Sequence, residues 1–120
     1  MTYSIETAIA EKFEAMIFLG DFNSRMKDFY DVYMLLENND IDNEILKEAI
    51  RQTFKKRNSI LVNDHLLFSE DFVINSKRNF QWKHFLQKIK SADLAFSVVV
   101  KKILEKLHPI YNELYNAINQ

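Results

Sequence analysis

The chain has 120 residues, 48% of them apolar, with one glycine, one proline and no cysteine. That length suits one domain able to bury a core, while a single glycine excludes phosphate-cradling loops, dinucleotide fingerprints and tight hairpins, which need backbone at positive φ or close to a ligand. Without cysteine there is no disulfide framework, zinc finger or thiolate nucleophile, and the net charge of −1 conceals a polarised chain: residues 1–45 hold ten acids against three bases (−7), the remainder thirteen bases against seven acids (+6).

With Pro109 the only proline, an all-β chain would lack turn residues. The expectation is therefore all-α: a compact bundle of about five to seven helices forming one domain over residues 1–120. The basic remainder suits nucleic acid or an acidic protein, or is simply a solvated face. No stretch approaches the roughly 20 apolar residues of a membrane span, and the N-terminus carries acids where a leader would carry bases. A cytoplasmic location without membrane contact is expected.

Ser4 as cap, Glu6 in the first turn and Gly20 as a left-handed stop predict a first helix over 5–19. Its apolar stripe is Ile5, Ala8, Ile9, Phe13, Met16 and Ile17, and Lys12 lies on or beside that face. A second helix is expected from Ser24 or Arg25 to Glu37, capped by Asn23 or Ser24, with Met26, Phe29, Tyr30, Tyr33 and Leu36 inward. Asp42 caps a third, whose stripe is Ile45, Leu46, Ala49, Ile50, Thr53 and Phe54 and whose end carries Lys55, Lys56 and Arg57.

Residues 58–68 show no helical period and read as an ordered loop. Ser69 opens a short helix, and Ser76 another with Phe80, Trp82, Phe85, Leu86 and Ile89 inward. Ser91 and Asp93 cap a long helix through Leu94, Val98, Ile103, Leu104 and Leu107, which Pro109 ends or kinks by removing a backbone donor. A last turn or two packs through Ile110, Leu114 and Ile118.

Two clusters depart from the amphipathic pattern. AEKFEA (residues 10–15) points Lys12 toward apolar neighbours, and NSRMKDFYD (residues 23–31) places Arg25, Lys27, Asp28 and Asp31 on an otherwise aromatic helix. An inward lysine is costly unless it meets an anion. That anion is either Asp28 or Asp31 across the helix pair or a ligand phosphate. Alternatively Lys12 snorkels to water and the second cluster is a set of surface ion pairs, each contributing only about 0.3–0.5 kcal/mol.

Together, AEKFEA and NSRMKDFYDVYML resemble the third and fourth motifs, roughly A-E-K-x-x-A and R-x-K-D-x-x-D, of the AbiEii/AbiGii-type nucleotidyltransferase toxins. The likeness continues through AIRQTFKKR and QWKHFL. It implies the helical C-terminal half of a two-part enzyme that binds a nucleoside triphosphate, GTP among the candidates, and transfers a nucleotidyl group, in some members to tRNA. A cognate antitoxin is implied as partner. By position, Lys12 and Arg25 would be nucleotide-binding, Lys27 and Asp31 the active-site lysine and carboxylate, and Asp28 a supporting residue.

The family's strand-rich half carries a Gly-Ser loop and an Asp-x-Asp pair that holds Mg²⁺. These 120 residues contain no Gly-Ser pair, and Asp40-Ile41-Asp42 lies in a connection with Asp42 engaged as a cap, so no metal site is expected here. The chain is expected to be inert without a separate catalytic half. Two alternatives stand beside this. Arg78 followed by His84 fits the spacing of HEPN-type helical ribonucleases, and the domain could be a non-catalytic protein- or RNA-binding module. His65 and His108 have no partners at metal-ligand spacing.

Overall fold

A computed structural model describes residues 4–22 and 25–118. Among them are six α-helices and two single 3-10 turns, with no strand: α1 (Ile5–Leu19), α2 (Met26–Asn38), α3 (Asn43–Lys56), α4 (Glu70–Ile74), α5 (Ser76–Lys88) and α6 (Phe96–Ile118), the turns being Gly20–Phe22 and Leu66–Phe68. The all-α bundle expected from composition is the fold. α1 lies against α3 and α2, α2 against α6 and α5, and α4 against α5 and α6.

The caps follow the sequence closely. Ser4 accepts from the Thr7 amide, Asp42 from the Glu44 and Ile45 amides, and Ser69 from the Phe72 amide, each satisfying donors that the first helical turn leaves without a partner. α5 starts at Ser76, as expected, and Asn75 before it is the cap, accepting from the Arg78 amide. The expected Asn23 or Ser24 cap of α2 lies outside the described residues; Arg25 occupies the cap position and makes no side-chain cap bond.

Gly20 stops α1 at φ +52, but its ψ of −124 is not that of the left-handed helix, and the chain continues straight into the 3-10 turn. A Cβ there would meet Leu66 only at ordinary contact distance, so the backbone angle, not space, calls for glycine. Among the described residues the other positive-φ positions are Asn58, Asp64 and Lys90. Two of these end helices. After α3 the Ser59 amide reaches the Phe54 carbonyl and Asn58 the Lys55 carbonyl; after α5, Ser91 reaches Leu86 and Lys90 reaches Gln87. Both are Schellman closures built without glycine.

Two aromatic groups fill the core. Phe13 of α1, Phe54 of α3 and Tyr111 of α6 meet at centroid distances of 5.8–6.4 Å. Phe29 of α2, Phe72 of α4, Trp82 of α5 and Phe96 of α6 form the second. Buried polar ends are paired: Trp82 Nε1 donates to the Leu94 carbonyl at 2.7 Å, and the Tyr111 hydroxyl donates to the Val62 carbonyl and accepts from its amide. This last pair pins the 58–68 loop to α6.

Several inward assignments need correction. Ile45, Phe80, Val98, Ile89 and Ile118 are exposed, while Ala10, Val32 and the acids Glu14 and Asp28 are buried. In each of the helices concerned the buried arc is set by the neighbours it packs against rather than by its most apolar face. The long helix starts at Phe96, leaving Ser91 and Asp93 in the connection and Leu94 free to accept from Trp82. Pro109 does not end it. Pro109 and Glu105, the residue whose carbonyl loses its i+4 donor, are both exposed, so the missing bond falls on the outer side of the helix rather than in the core.

Candidate functional site

α1 and α2 bring the two sequence clusters together. Lys12, near the middle of α1, extends its ammonium to α2, where Nζ donates to Asp28 Oδ1 at 3.3 Å and lies 3.2 Å from Asp31 Oδ2. Asp31 also accepts from Lys27 Nζ at 2.7 Å, one helical turn back. Arg25 Nε stands 3.1 Å from Asp28 Oδ2, but out of line for a hydrogen bond, so that oxygen accepts none. The result is an alternating chain, Arg25, Asp28, Lys12, Asp31, Lys27, with three cations for two carboxylates.

Burial grades this chain from inside to outside. The Asp28 side chain is 5% exposed, Asp31 26% and Lys12 29%, whereas Arg25 and Lys27 are 60% and 74% exposed. Asp28 is therefore the anchor: a carboxylate in the third position of α2, where the helix's positive end favours it, compensated by the inward lysine for which the sequence offered Asp28 or Asp31 as the anion. The hydrogen bond from Lys27 to Asp31 holds the Lys27 ammonium above its ordinary value. Both outer cations remain charged and open to water, and they can accept an anionic ligand without breaking the inner pair.

These carboxylates do not suit Mg²⁺. Each is engaged by two cations, and among the described residues no group of three or more His, Asp or Glu is placed to hold a metal ion. Asp40 and Asp42 do not form one either; Asp42 is occupied as the α3 cap.

The other candidates resolve into structural roles. Arg78 is almost wholly buried, donating to the Phe72 carbonyl at 3.0 Å and to Asp21 Oδ1 at 3.2 Å, with its guanidinium 3.9 Å over the Phe72 ring. It ties α5 to α4 and the Gly20–Phe22 turn. His84 is exposed, so the Arg78 and His84 of the ribonuclease spacing do not share a site. His65 bridges through both nitrogens: Nε2 donates to the Ile17 carbonyl at 2.9 Å, and Nδ1 accepts from Leu67. Burial lowers its pKa, as the neutral ring requires. His108 stacks on Phe68 at 4.0 Å.

One buried acid gave no sequence signal beyond its place in AEKFEA. Glu14 accepts from Arg57 Nη1 at 2.8 Å and Ser59 Oγ at 2.6 Å, fastening α1 to the end of α3. Only its position one turn past Ala10, on the same face, could have placed it inward.

Fold and cluster together define an all-helical domain with an ion-paired site of excess positive charge at the start of α2. The chain belongs to the AbiEii nucleotidyl transferase toxin family of type IV toxin–antitoxin systems, whose family model matches residues 1–106. No curated protein and no solved structure matches it. No helix among the described residues is long and apolar enough to cross a membrane.

Proposed function

We propose that this domain supplies the triphosphate-facing side of a nucleotidyl transfer site, with Lys12, Arg25 and Lys27 as the phosphate ligands and Asp28 and Asp31 as the carboxylates that fix them. The observation that carries this reading is the alternating chain itself. A buried, compensated centre holds Lys12 in place, and two exposed cations flank it with one positive charge in excess. Preorganised cations of this kind stabilise charge on a transferring phosphoryl group at little cost in reorganisation.

Lys27 and Asp31 are the closest pair in the site, and Lys27 is the more exposed member. In this reading Lys27 turns from Asp31 toward the phosphate, and Asp31 keeps Lys12 as its partner, so no carboxylate is stranded. Mg²⁺, where the reaction uses it, is held by carboxylates outside this cluster, on another segment or chain. The 120 residues alone therefore bind triphosphate without transferring it. An antitoxin partner follows from the family, and tRNA is a candidate acceptor.

Calorimetry with GTP and with inorganic tripolyphosphate tests this directly. Lys27→Met and Arg25→Ala remove exposed groups and leave the fold intact, and each should weaken both ligands about 10-fold or more, the low end of a charge-assisted contact. Equal affinities in wild type and both variants would remove the cluster from nucleotide binding. Robust transfer by this chain alone, abolished by Asp40→Ala, would overturn the division of the site.

A further inference from the structure

Beside the ion-paired chain runs a groove of about 750 Å³ between the start of α2 and the outer face of α5. Its α2 wall is Arg25, Met26, Lys27 and the edge of Asp28, so it opens from the same cations that border the phosphate site. The α5 wall is two parallel rows at helical spacing: Phe80, His84 and Lys88 outermost, then Gln81, Phe85 and Ile89. Phe80 is 68% exposed and lies 6.1 Å from the His84 ring. Phe85 is set from below by Tyr30, at 5.7 Å, and Trp82.

A large aromatic left in water beside a half-buried one, on a helix whose core needs are already met by Trp82 and Leu86, has no packing role in this domain. The charged groups lining the groove are Arg25, Lys27 and Lys88, with Asp28 buried and neutralised. The sign at the rim is positive and the floor is mainly apolar. That combination recognises an aromatic ring carrying phosphate.

We infer that this groove holds the base of the bound nucleoside triphosphate, stacked on Phe80 and Phe85 with Gln81 facing its polar edge, while the phosphates lie on Arg25 and Lys27. The inference rests on the phosphate reading above and adds to it the residues that grip the nucleoside. Gln81 is the member able to discriminate, because its amide offers both donors and an acceptor.

The test separates the two parts of the ligand. GTP, ATP, CTP and UTP are titrated against inorganic tripolyphosphate, which has the charge and no base, on the full chain and on Phe80→Ala and Phe80→Trp. Phe80 is exposed, so truncation leaves the core and the melting temperature unchanged. At least one nucleotide should bind about 5-fold or more tighter than tripolyphosphate, the low end for one stacked base. Phe80→Ala should erase that advantage without altering tripolyphosphate affinity, and Phe80→Trp should restore it.

Nucleotide and tripolyphosphate binding equally tightly to the wild type would overturn the base site while leaving the phosphate site standing. Tripolyphosphate affinity unchanged in Lys27→Met and Arg25→Ala, with an intact Phe80-dependent increment, would instead support the groove alone and remove the phosphate site. If a single-stranded oligoribonucleotide binds through Phe80 and no nucleotide gains from it, the groove belongs to an RNA strand and the inference fails.

Discussion

Replacing Lys12 by methionine keeps the length and apolar stem of the side chain and deletes the charge that Asp28 faces. Asp28 Oδ1 then loses its donor, Oδ2 already accepts no hydrogen bond, and the remaining ion-pair partner is the largely exposed Arg25. Stranding a fully buried charge costs about 3–5 kcal/mol, and an unsatisfied buried acceptor about 1–3 kcal/mol. Lys12 is 29% exposed, so water reaches the gap and the cost falls to about 2–3 kcal/mol. Asp31 adds little, because it keeps Lys27 at 2.7 Å. Asp28→Asn, which leaves Lys12 its bond to Asp31, should cost about 1–2 kcal/mol. The double variant should be less destabilised than the sum of the two by about 1–2 kcal/mol, since each removes the same contact. Urea unfolding followed by circular dichroism, with unchanged m-values, measures all three. Additivity within about 0.5 kcal/mol would refute the claim that Asp28 depends on Lys12. The same stability cost is why Lys12 is a poor probe of ligand binding and the exposed Lys27 and Arg25 are better ones.

Two further outcomes follow from local structure. His65 is held neutral by burial, with its folded pKa below the ordinary 6.5, so the unfolded chain takes up the proton first. Its contribution to stability is therefore complete above pH 6.5 and is lost as pH falls through the folded value; melts between about pH 7.5 and 5.5 should fall more steeply in wild type than in His65→Gln, and parallel slopes would contradict this. Lys90 closes α5 at φ +57, where a non-glycine residue bears about 1–2 kcal/mol of strain. After the extra unfolded-chain freedom of glycine, Lys90→Gly should stabilise by about 0.5–1 kcal/mol, or about 2–4 °C in melting temperature, and a lower melting temperature would show that the lysine stem packs usefully.

The parts of the fold that were legible in sequence are those decided within one or two turns of helix. Ser4, Asp42 and Ser69 cap because their side chains reach amides two or three residues ahead, whatever surrounds them. The inward position of Lys12 was equally legible, since the period of α1 fixes it, and its need for an anion pointed to Asp28 or Asp31 or to a ligand phosphate; that it meets both carboxylates at once was not legible. Asp28 and Asp31 are 16 and 19 residues away, and periodicity holds no information on how two helices cross.

Pro109 and Phe80 show the same limit from opposite sides. Local chemistry predicts that a proline interrupts a helix, yet α6 runs through Pro109, which with Glu105 lies on the exposed side, a placement set by which side of α6 the core takes. Local periodicity puts Phe80 inward with Trp82 and Phe85, yet α5 can bury only the arc that α2, α4 and α6 leave open, and Trp82 and Leu86 fill it. An apolar residue that the helical pattern claims for the core and the packing leaves in water is the kind of disagreement expected at a functional position. Here it falls beside the cations of α2. The lone glycine fits the same division. Asn58 and Lys90 show that this bundle can close helices without glycine, whereas Gly20 adopts an angle pair that leads the chain from Lys12 on α1 into the turn before Arg25 on α2. The one position where glycine is required is the one that lets the two halves of the cluster meet.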